Sequence, residues 1–341
     1  MLKVLMIGGT GIISGDITML AAQKKNIGLY LLNRGSTPSF VPKNVKIIQA
    51  DIADSGLVLE KIKGMDFDVV ADFISYGVDA LNHKLDIFRG RTGQYVFISS
   101  CAAYAKSSHP VITEGNTSVG NVLWSYGRNK VRCERRLKEE YEQSGMHYTI
   151  VRPAYTYNNI RILQPYSINH WKSWTIAHRM LQGKPMVLHD DGQALCTATH
   201  TTDFAKAFVG LWGNPSAMNE DFHITSSEYL TWKHVAELTA DALGVKTDFC
   251  FVPAHDLCFE LLGYSDEWFG ACEKIMHTVD NAVYDNSKVK KAVPEFVCTT
   301  PFAEGIKRTI KFYLDNQQYQ KIDEEWDKKF DQITEKFYGK V

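Results

Sequence analysis

The turn Gly8-Gly9-Thr10-Gly11 constrains this chain more than any other feature, because it joins a short apolar run at 4–7 to a helix-like stretch opening at Ile12. Glycines there let the backbone turn tightly and approach a pyrophosphate, and the helix that follows offers unpaired N–H groups and partial positive charge to an anion. Position gives the pattern its meaning, since glycine clusters also occur in plain turns. Gly8, Thr10, Gly11, Ile12 and Ile13 are therefore candidate cofactor contacts. The third glycine of the usual dinucleotide fingerprint is replaced by Ser14, with Gly15 one residue later, so helix–strand packing is expected to differ slightly from the common form.

Downstream the same rhythm repeats. Apolar, β-branched runs at 28–32, 45–49, 69–73, 95–99 and 148–152 alternate with helical stretches, as in a parallel sheet with crossover helices on both faces. The expected fold class is α/β, a doubly wound parallel Rossmann sheet with a smaller α+β substrate lobe. At 341 residues the chain exceeds the size at which one core usually stops growing, which favours two lobes around a cleft. The reading places a dinucleotide-binding domain at 1–154, with 198–226 returning to it, and the substrate lobe at 155–197 and 227–341. Within those spans, a helix is expected at 202–212 and a strand at 222–225.

The second run ends in Asn33-Arg34-Gly35, where a carboxylate would hold the ribose hydroxyls of NAD. Arg34 can instead pair with a 2′-phosphate or stack on adenine, so the cofactor is expected to be NAD or NADP, with a modest lean to NADP; an exposed arginine is the plainer alternative. Asp51 can meet the adenine amino group or simply cap a helix. Ile52, Phe73 and Pro153 stand at or beside the ends of the third, fourth and sixth runs and join the candidate cofactor contacts.

Tyr-x-x-x-Lys occurs three times, at Tyr126/Lys130, Tyr229/Lys233 and Tyr284/Lys288, so context has to choose among them. Only Tyr126 begins a helix soon after a strand ending in Ser99-Ser100, at the strand ends where open α/β sheets bind ligands. A spacing of four puts Tyr126 and Lys130 on one helical face. A phenol near pKa 10 is a poor base at neutrality, and a cation about 5 Å away at an effective dielectric near 20 is worth on the order of 3 kcal/mol, roughly two units. Ser100, Tyr126 and Lys130 are thus the expected catalytic set: Ser100 holds the substrate oxygen, Tyr126 exchanges its proton, and Lys130 lowers the phenol's pKa and holds the cofactor ribose.

Taken together, these residues resemble the extended short-chain dehydrogenase/reductases, the NAD-dependent epimerase/dehydratase family. The likeness covers nearly the whole chain. It rests on Gly8 to Gly11, Asp51-Ile52, Ile98-Ser99-Ser100 running on to Tyr104, Tyr126 to Lys130, Val151-Arg152-Pro153, and Asp190 to Gln193 leading to His200 and Asp203. The resemblance implies that Ser100 is the catalytic Ser/Thr. It also puts Cys101 and Ala102 where dehydratases carry an acid–base pair, which argues against a dehydratase. Cys101 is more simply a small packed thiol. Cys196 stands where sugar-nucleotide enzymes place a pyrophosphate-binding Arg, and Tyr155 where they place an Asn. The expected substrate is therefore a sugar or sugar derivative, touched by Ser100, Cys101, Tyr155 and Cys196, with Arg161, Lys172 or Arg179 as loop cations able to replace the missing Arg. The aromatic set Tyr155, Tyr157, Tyr166, His170, Trp171 and Trp174 suits stacking on a sugar and suits a lobe core equally.

Composition narrows the partners. A net charge of −1 gives no general pull toward nucleic acid or anionic membrane. No run approaches the roughly 20 apolar residues of a bilayer span, and the opening run reads as a buried strand rather than a leader. Seven scattered cysteines without a C-x-x-C pair suit reduced thiols and a cytoplasmic protein, with no metal site. Small-molecule binding is expected, with no nucleic acid and no membrane, and the resemblance implies a homodimer. The competing class is a non-catalytic dinucleotide-sensing or RNA-associated binding protein of the same superfamily, against which the matched Ser100, Tyr126 and Lys130 argue.

Overall fold

A computed structural model describes residues 1–35, 41–263 and 266–339. The strands, in chain order, are β1 (Leu2–Ile7), β2 (Ile27–Asn33), β3 (Lys46–Gln49), β4 (Phe67–Asp72), β5 (Thr92–Ile98), β6 (Tyr148–Pro153), β7 (Tyr155–Tyr157), β8 (Met186–His189), β9 (Leu195–His200), β10 (Glu220–Ile224), β11 (Tyr229–Thr231) and β12 (Phe249–Val252). Seven of them form one sheet in the order β3-β2-β1-β4-β5-β6-β10, every neighbouring pair parallel. The order reverses between β1 and β4, which opens a crevice at their carboxyl ends. This is the doubly wound α/β sheet that the alternating pattern implied.

Both faces of the sheet are covered, which is why its strands read as continuous apolar runs rather than alternating ones. Along β1, Val4 and Met6 pack on one side with Ile17 and Ala21 of α1 (Ile12–Ala22) and with Phe204 and Phe208 of the helix Thr201–Gly210. Leu5 and Ile7 pack on the other side with Val58 of α2 (Ser55–Lys61), Leu81 and Leu85 of α3 (Val78–Phe88), and Cys133 and Leu137 of α4 (Ser125–Ser144). The strand expected at 222–225 is β10, which pairs with β6 as the seventh strand.

A second apolar core gathers residues from 157–198, 232–275 and 302–333 around the small sheets β11-β9-β7 and β12-β8. The charged terminal segment contributes Trp326, Phe330 and Ile333 to this core; its last two residues lie outside the described ones. Ser125 at the start of α4 donates to Glu273 (2.5 Å) on the helix Phe269–Thr278, and Arg128 bonds the same carboxylate (3.2 Å). The end of α4 that carries Tyr126 is thereby fastened to the second core. Among the described residues no helix is long and apolar enough to cross a membrane.

Candidate functional site

The glycine turn sits at the crevice and is shaped by two hydroxyls. Gly8 has φ +85°, and a Cβ there would lie 2.5 Å from Ile74 Cγ2, so only glycine fits without strain. Ser14 Oγ donates to Gly8 O (2.6 Å) and accepts from Gly11 N (2.8 Å), while Thr18 Oγ1 donates to Gly9 O (2.7 Å). The serine standing in place of the third glycine is therefore a brace across the turn. With both carbonyls engaged, the first turn of α1 presents N–H groups rather than oxygens to the crevice. A cavity of about 980 Å³ runs from this turn, lined by Gly8, Thr10, Gly11, Ile12, Ile13, Asn33, Arg34, Asp51, Ile52, Phe73, Tyr126, Lys130 and Pro153, which brings together all the expected cofactor contacts. The glycine cradle, the helix N-terminus and the length of the cavity fit a dinucleotide.

At the far end Arg34 lies 4.0 Å from Asp51, both side chains more than half exposed. The guanidinium that prompted the lean to NADP thus already faces a carboxylate, and a dianionic 2′-phosphate there would meet the same negative charge.

Near the other end, Ser99 and Ser100 part company. Ser99 is fully buried and its Oγ donates to Glu134 (2.5 Å), whereas half-buried Ser100 accepts from Ala102 N (3.1 Å) and hydrogen-bonds the Tyr126 phenol. Tyr126 is flanked by Trp124 (ring centroids 5.0 Å apart) and Tyr76 (6.5 Å). Lys130 is almost wholly buried beneath them, donating to Ser75 O (2.8 Å) and Ile98 O (2.7 Å). Gly127 makes this possible: a Cβ at that position would press into the Ala102 carbonyl oxygen.

The ionisation of the pair corrects one sequence expectation. Burial pushes the Tyr126 phenol up to about 12, against which the Ser100 hydrogen bond and the Arg161 charge pull it down. Lys130 is lowered to about 8, again chiefly by burial, with Asp72 opposing. Burial dominates the phenol, and the positive charge that opposes it is that of Arg161 rather than Lys130.

Other expectations divide. Cys101 is buried, donates to Arg152 O (3.5 Å), and burial raises its thiol well beyond the ordinary range, so it stays protonated. Tyr155 stands edge-on to Trp232 (4.9 Å) and is half-buried. Cys196 is fully buried inside the second core and does not reach the cavity surface, because β9 turns it inward; its expected contact with substrate is not met. None of Ser100, Cys101, Tyr155 and Cys196 is a lining residue of the main cavity, where Ser99 stands instead. The aromatic segment splits as well: Tyr157, Tyr166 and Trp174 are core, whereas His170 and Trp171 line the cavity.

One feature escaped sequence reading. Arg152, fully buried at the end of β6, is forked onto Glu134 (2.9 and 2.7 Å) and also bonds Tyr104 Oη (2.9 Å) and Asp221 (2.6 Å). This network ties β5, α4, β6 and β10 together behind the serines. The only advance signal was Glu134 falling one turn past Lys130. Arg161, one of the loop cations expected from sequence, lines the cavity near Tyr126. Of the three loop cations considered, Lys172 pairs with Asp323 (3.7 Å) and Arg179 with Asp327 and Asp331 (2.6 and 2.7 Å), which leaves Arg161 as the one facing the cleft.

A doubly wound parallel sheet with a glycine turn at its crevice and a Tyr-x-x-x-Lys helix beside it defines a dinucleotide-binding α/β protein of the short-chain dehydrogenase/reductase type. Residues 4–225 match the NAD dependent epimerase/dehydratase family, and the chain belongs to that family. The chloroplast stem-loop binding protein of 41 kDa b from Arabidopsis thaliana is 26% identical over 255 residues, 71% of this chain and 63% of that protein, so the match spans less than two thirds of the relative. Among solved structures, an epimerase of Methanothermobacter thermautotrophicus superposes with TM-score 0.72 at 15% identity, covering 93% of each chain. The dTDP-glucose 4,6-dehydratase of Bacillus anthracis, in complex with NAD, gives 0.72 at 16% identity over 94% of this chain and 98% of that one. The UDP-glucose 4-epimerase of Thermotoga maritima, with UDP-glucose, gives 0.71 at 16% identity over 93% and 100%. These are likenesses of fold.

Proposed function

We propose that the chain catalyses NAD-dependent oxidation of a secondary alcohol on a sugar or sugar derivative, either as a dehydrogenase or as the first half of an epimerisation. The observation that carries this reading is Tyr126 over buried Lys130 in the wall of the cavity that begins at the glycine turn, with Ser100 hydrogen-bonded to the phenol just behind that wall. The Ile12 and Ile13 end of α1 would hold the cofactor diphosphate, and Asp51 beside Arg34 favours NAD over NADP. When bound, NAD supplies the hydride acceptor. Ser100 orients the alcohol oxygen, Tyr126 Oη takes its proton, and Lys130 keeps a positive charge beneath the phenol. Cys101 and Ala102 offer no carboxylic acid for an elimination, which argues against dehydration. The family relationship also underlies a proposed homodimer, checked by gel filtration.

Screening sugars, sugar nucleotides and glycosides for reduction of added NAD tests the reading. Tyr126→Phe is expected to lower turnover by about 10²-fold or more. Full activity of that variant on every substrate found would end the assignment.

A second reading, binding of an RNA stem-loop, is favoured by the likeness to the Arabidopsis protein. Tight RNA binding that survives Tyr126→Phe, with no turnover on any alcohol, is the result that would favour it.

A further inference from the structure

Lys130 carries its ammonium between the Tyr76 and Phe97 rings, 4.9 and 4.8 Å from their centroids, with about 1% of its surface exposed. Its two hydrogen-bond acceptors, Ser75 O and Ile98 O, are backbone carbonyls without net charge. An ammonium so placed gives up its proton readily unless a carboxylate stands near. The ionisable groups that face it are Tyr126, Cys133 and Glu134 on its own helix, Tyr76 on the turn after β4, Asp72 at the end of β4, and Lys84 on α3. Glu134 is already engaged by the Arg152 fork and by Ser99. Asp72 is the carboxylate that remains.

Asp72 is fully buried and built into the turn at 73–76. Its Oδ1 accepts from Ile74 N (2.9 Å) and Ser75 N (3.1 Å), and its Oδ2 accepts from Ser75 Oγ and from Tyr95 Oη (2.9 Å) on β5. These bonds fold the turn so that the Ser75 carbonyl meets Lys130 Nζ (2.8 Å). Lys84, also buried, closes the arrangement from α3 by donating to Ser75 Oγ (2.9 Å) and Ala80 O (2.9 Å). One serine thereby joins three charges. Its carbonyl accepts from Lys130, while its hydroxyl accepts from Lys84 and donates to Asp72. A carboxylate held by four donors in a dry turn acts on its neighbours from a fixed place. Asp72 is also the strongest of the groups that favour the Lys130 charge against burial, and Lys84 works the other way.

We propose that Asp72 is a positioning residue for Lys130, acting through the Ser75 turn, and that Lys84 is its opposing partner. Asp72 holds the ammonium in place and keeps it charged beneath the Tyr126 phenol, and Lys84 limits the second effect. The inference rests on the catalytic reading of Tyr126 and Lys130 and deepens it, since neither Asp72 nor Lys84 lines the cavity.

The test titrates the full chain by NMR with isotope-labelled lysine amino groups, without substrate or cofactor, the Lys130 signal being assigned by its loss in Lys130→Met. Asp72→Asn keeps the shape of the side chain and removes its charge, so the Lys130 midpoint should fall from about 8 by about one unit. Lys84→Met should raise the midpoint by about half a unit, and the double variant should lie between the two. A structural role alone would loosen the packing, admit water and raise the midpoint in both variants. An unchanged or raised midpoint in Asp72→Asn therefore overturns the inference, and so does movement of both variants in the same direction. Each variant carries its own sign, so misfolding of one leaves the other decisive. On the alcohol found by screening, Asp72→Asn should lower kcat at least about fivefold while KM for the alcohol stays within about twofold, because Asp72 displaces Lys130 and touches no substrate. An unchanged kcat overturns the positioning role. Absence of turnover in the wild type would sink the proposed function instead, and the titration would still decide whether Asp72 governs Lys130.

Discussion

Gly127→Ala probes the placement of Tyr126 and Lys130 through a single methyl group. A Cβ at this position would run into the Ala102 carbonyl oxygen and come within 3.0 Å of Asn121 Cγ and 3.1 Å of its Cβ. The oxygen is backbone, two residues past Ser100, and it accepts from Asn121 Nδ2 (2.8 Å), so neither obstacle can swing aside cheaply. Ordinary contact is restored only if the first turn of α4 retreats by about 1 Å from the Ser100 loop, at a cost typical of overpacking, about 1–3 kcal/mol. A displacement of that size at a reacting group lowers turnover on the order of 10²-fold. The glycine turn lies outside the disturbance but Tyr126 and Lys130 move with it, so NAD affinity should weaken by less than the turnover does, about tenfold at most. The assay pairs kcat on the alcohol found by screening with a fluorescence titration of NAD. A variant that folds, binds NAD and turns over within about threefold of wild type would refute the claim that close packing of α4 sets the catalytic geometry.

Two further outcomes concern stability. Glu134→Gln leaves Arg152 and Ser99 without their shared buried carboxylate and should cost about 3–5 kcal/mol, a fall of roughly 5–10 °C in Tm; a change within about 2 °C would show that Asp221 alone suffices for Arg152. Glu140 is lowered from 4.5 to about 2, first by its hydrogen bond from Arg89 and also by Arg136, with burial opposing. Its folded pKa is depressed, so its stabilisation is present above the unfolded value and is lost as pH falls from 4.5 toward 2. The Tm gap between wild type and Arg89→Ala should accordingly be largest at about pH 6 and shrink below about pH 4; a gap that widens in acid would contradict the assignment.

Much of the sheet was legible because its strands are buried on both faces, which leaves apolar runs such as 4–7 and 148–152 that hardly depend on context. The turn was legible because it must directly follow a strand. Within the site, Tyr126 and Lys130 were chosen over two other Tyr-x-x-x-Lys copies by their position after β5, and the structure places the pair in the cavity. What sequence could not show was which face each polar residue takes. Ser99 and Ser100 look equivalent in a row of letters, yet strand alternation sends one to Glu134 and the other to Tyr126. Cys196 was placed at the substrate by alignment alone, whereas β9 turns it into the core. The sign of the Tyr126 shift was misjudged for a related reason. A cation four residues away is visible in sequence, but the burial that raises the phenol and the Arg161 charge that opposes it depend on how the chain folds around Tyr126.

That reversed sign bears on direction. With the phenol at about 12 and the ammonium at about 8, the pair at neutrality consists of a protonated Tyr126 above a charged Lys130, which is the form that gives a proton to a carbonyl. Taking a proton from an alcohol needs the phenolate, and added positive charge is what produces it. A unit charge about 5 Å away at an effective dielectric near 20 contributes on the order of 3 kcal/mol, so oxidised nicotinamide would bring the phenol down by roughly two units, to about 10. Alcohol oxidation is then expected to accelerate about tenfold per unit between about pH 7 and pH 9, while carbonyl reduction stays nearly flat over that range. Steady-state kcat/KM in both directions, measured across that range in one mixed buffer, checks this. An oxidation rate that levels off below about pH 8 would mean that Lys130 and Arg161 together overcome the burial of Tyr126, and that the phenol works as a base at neutrality after all.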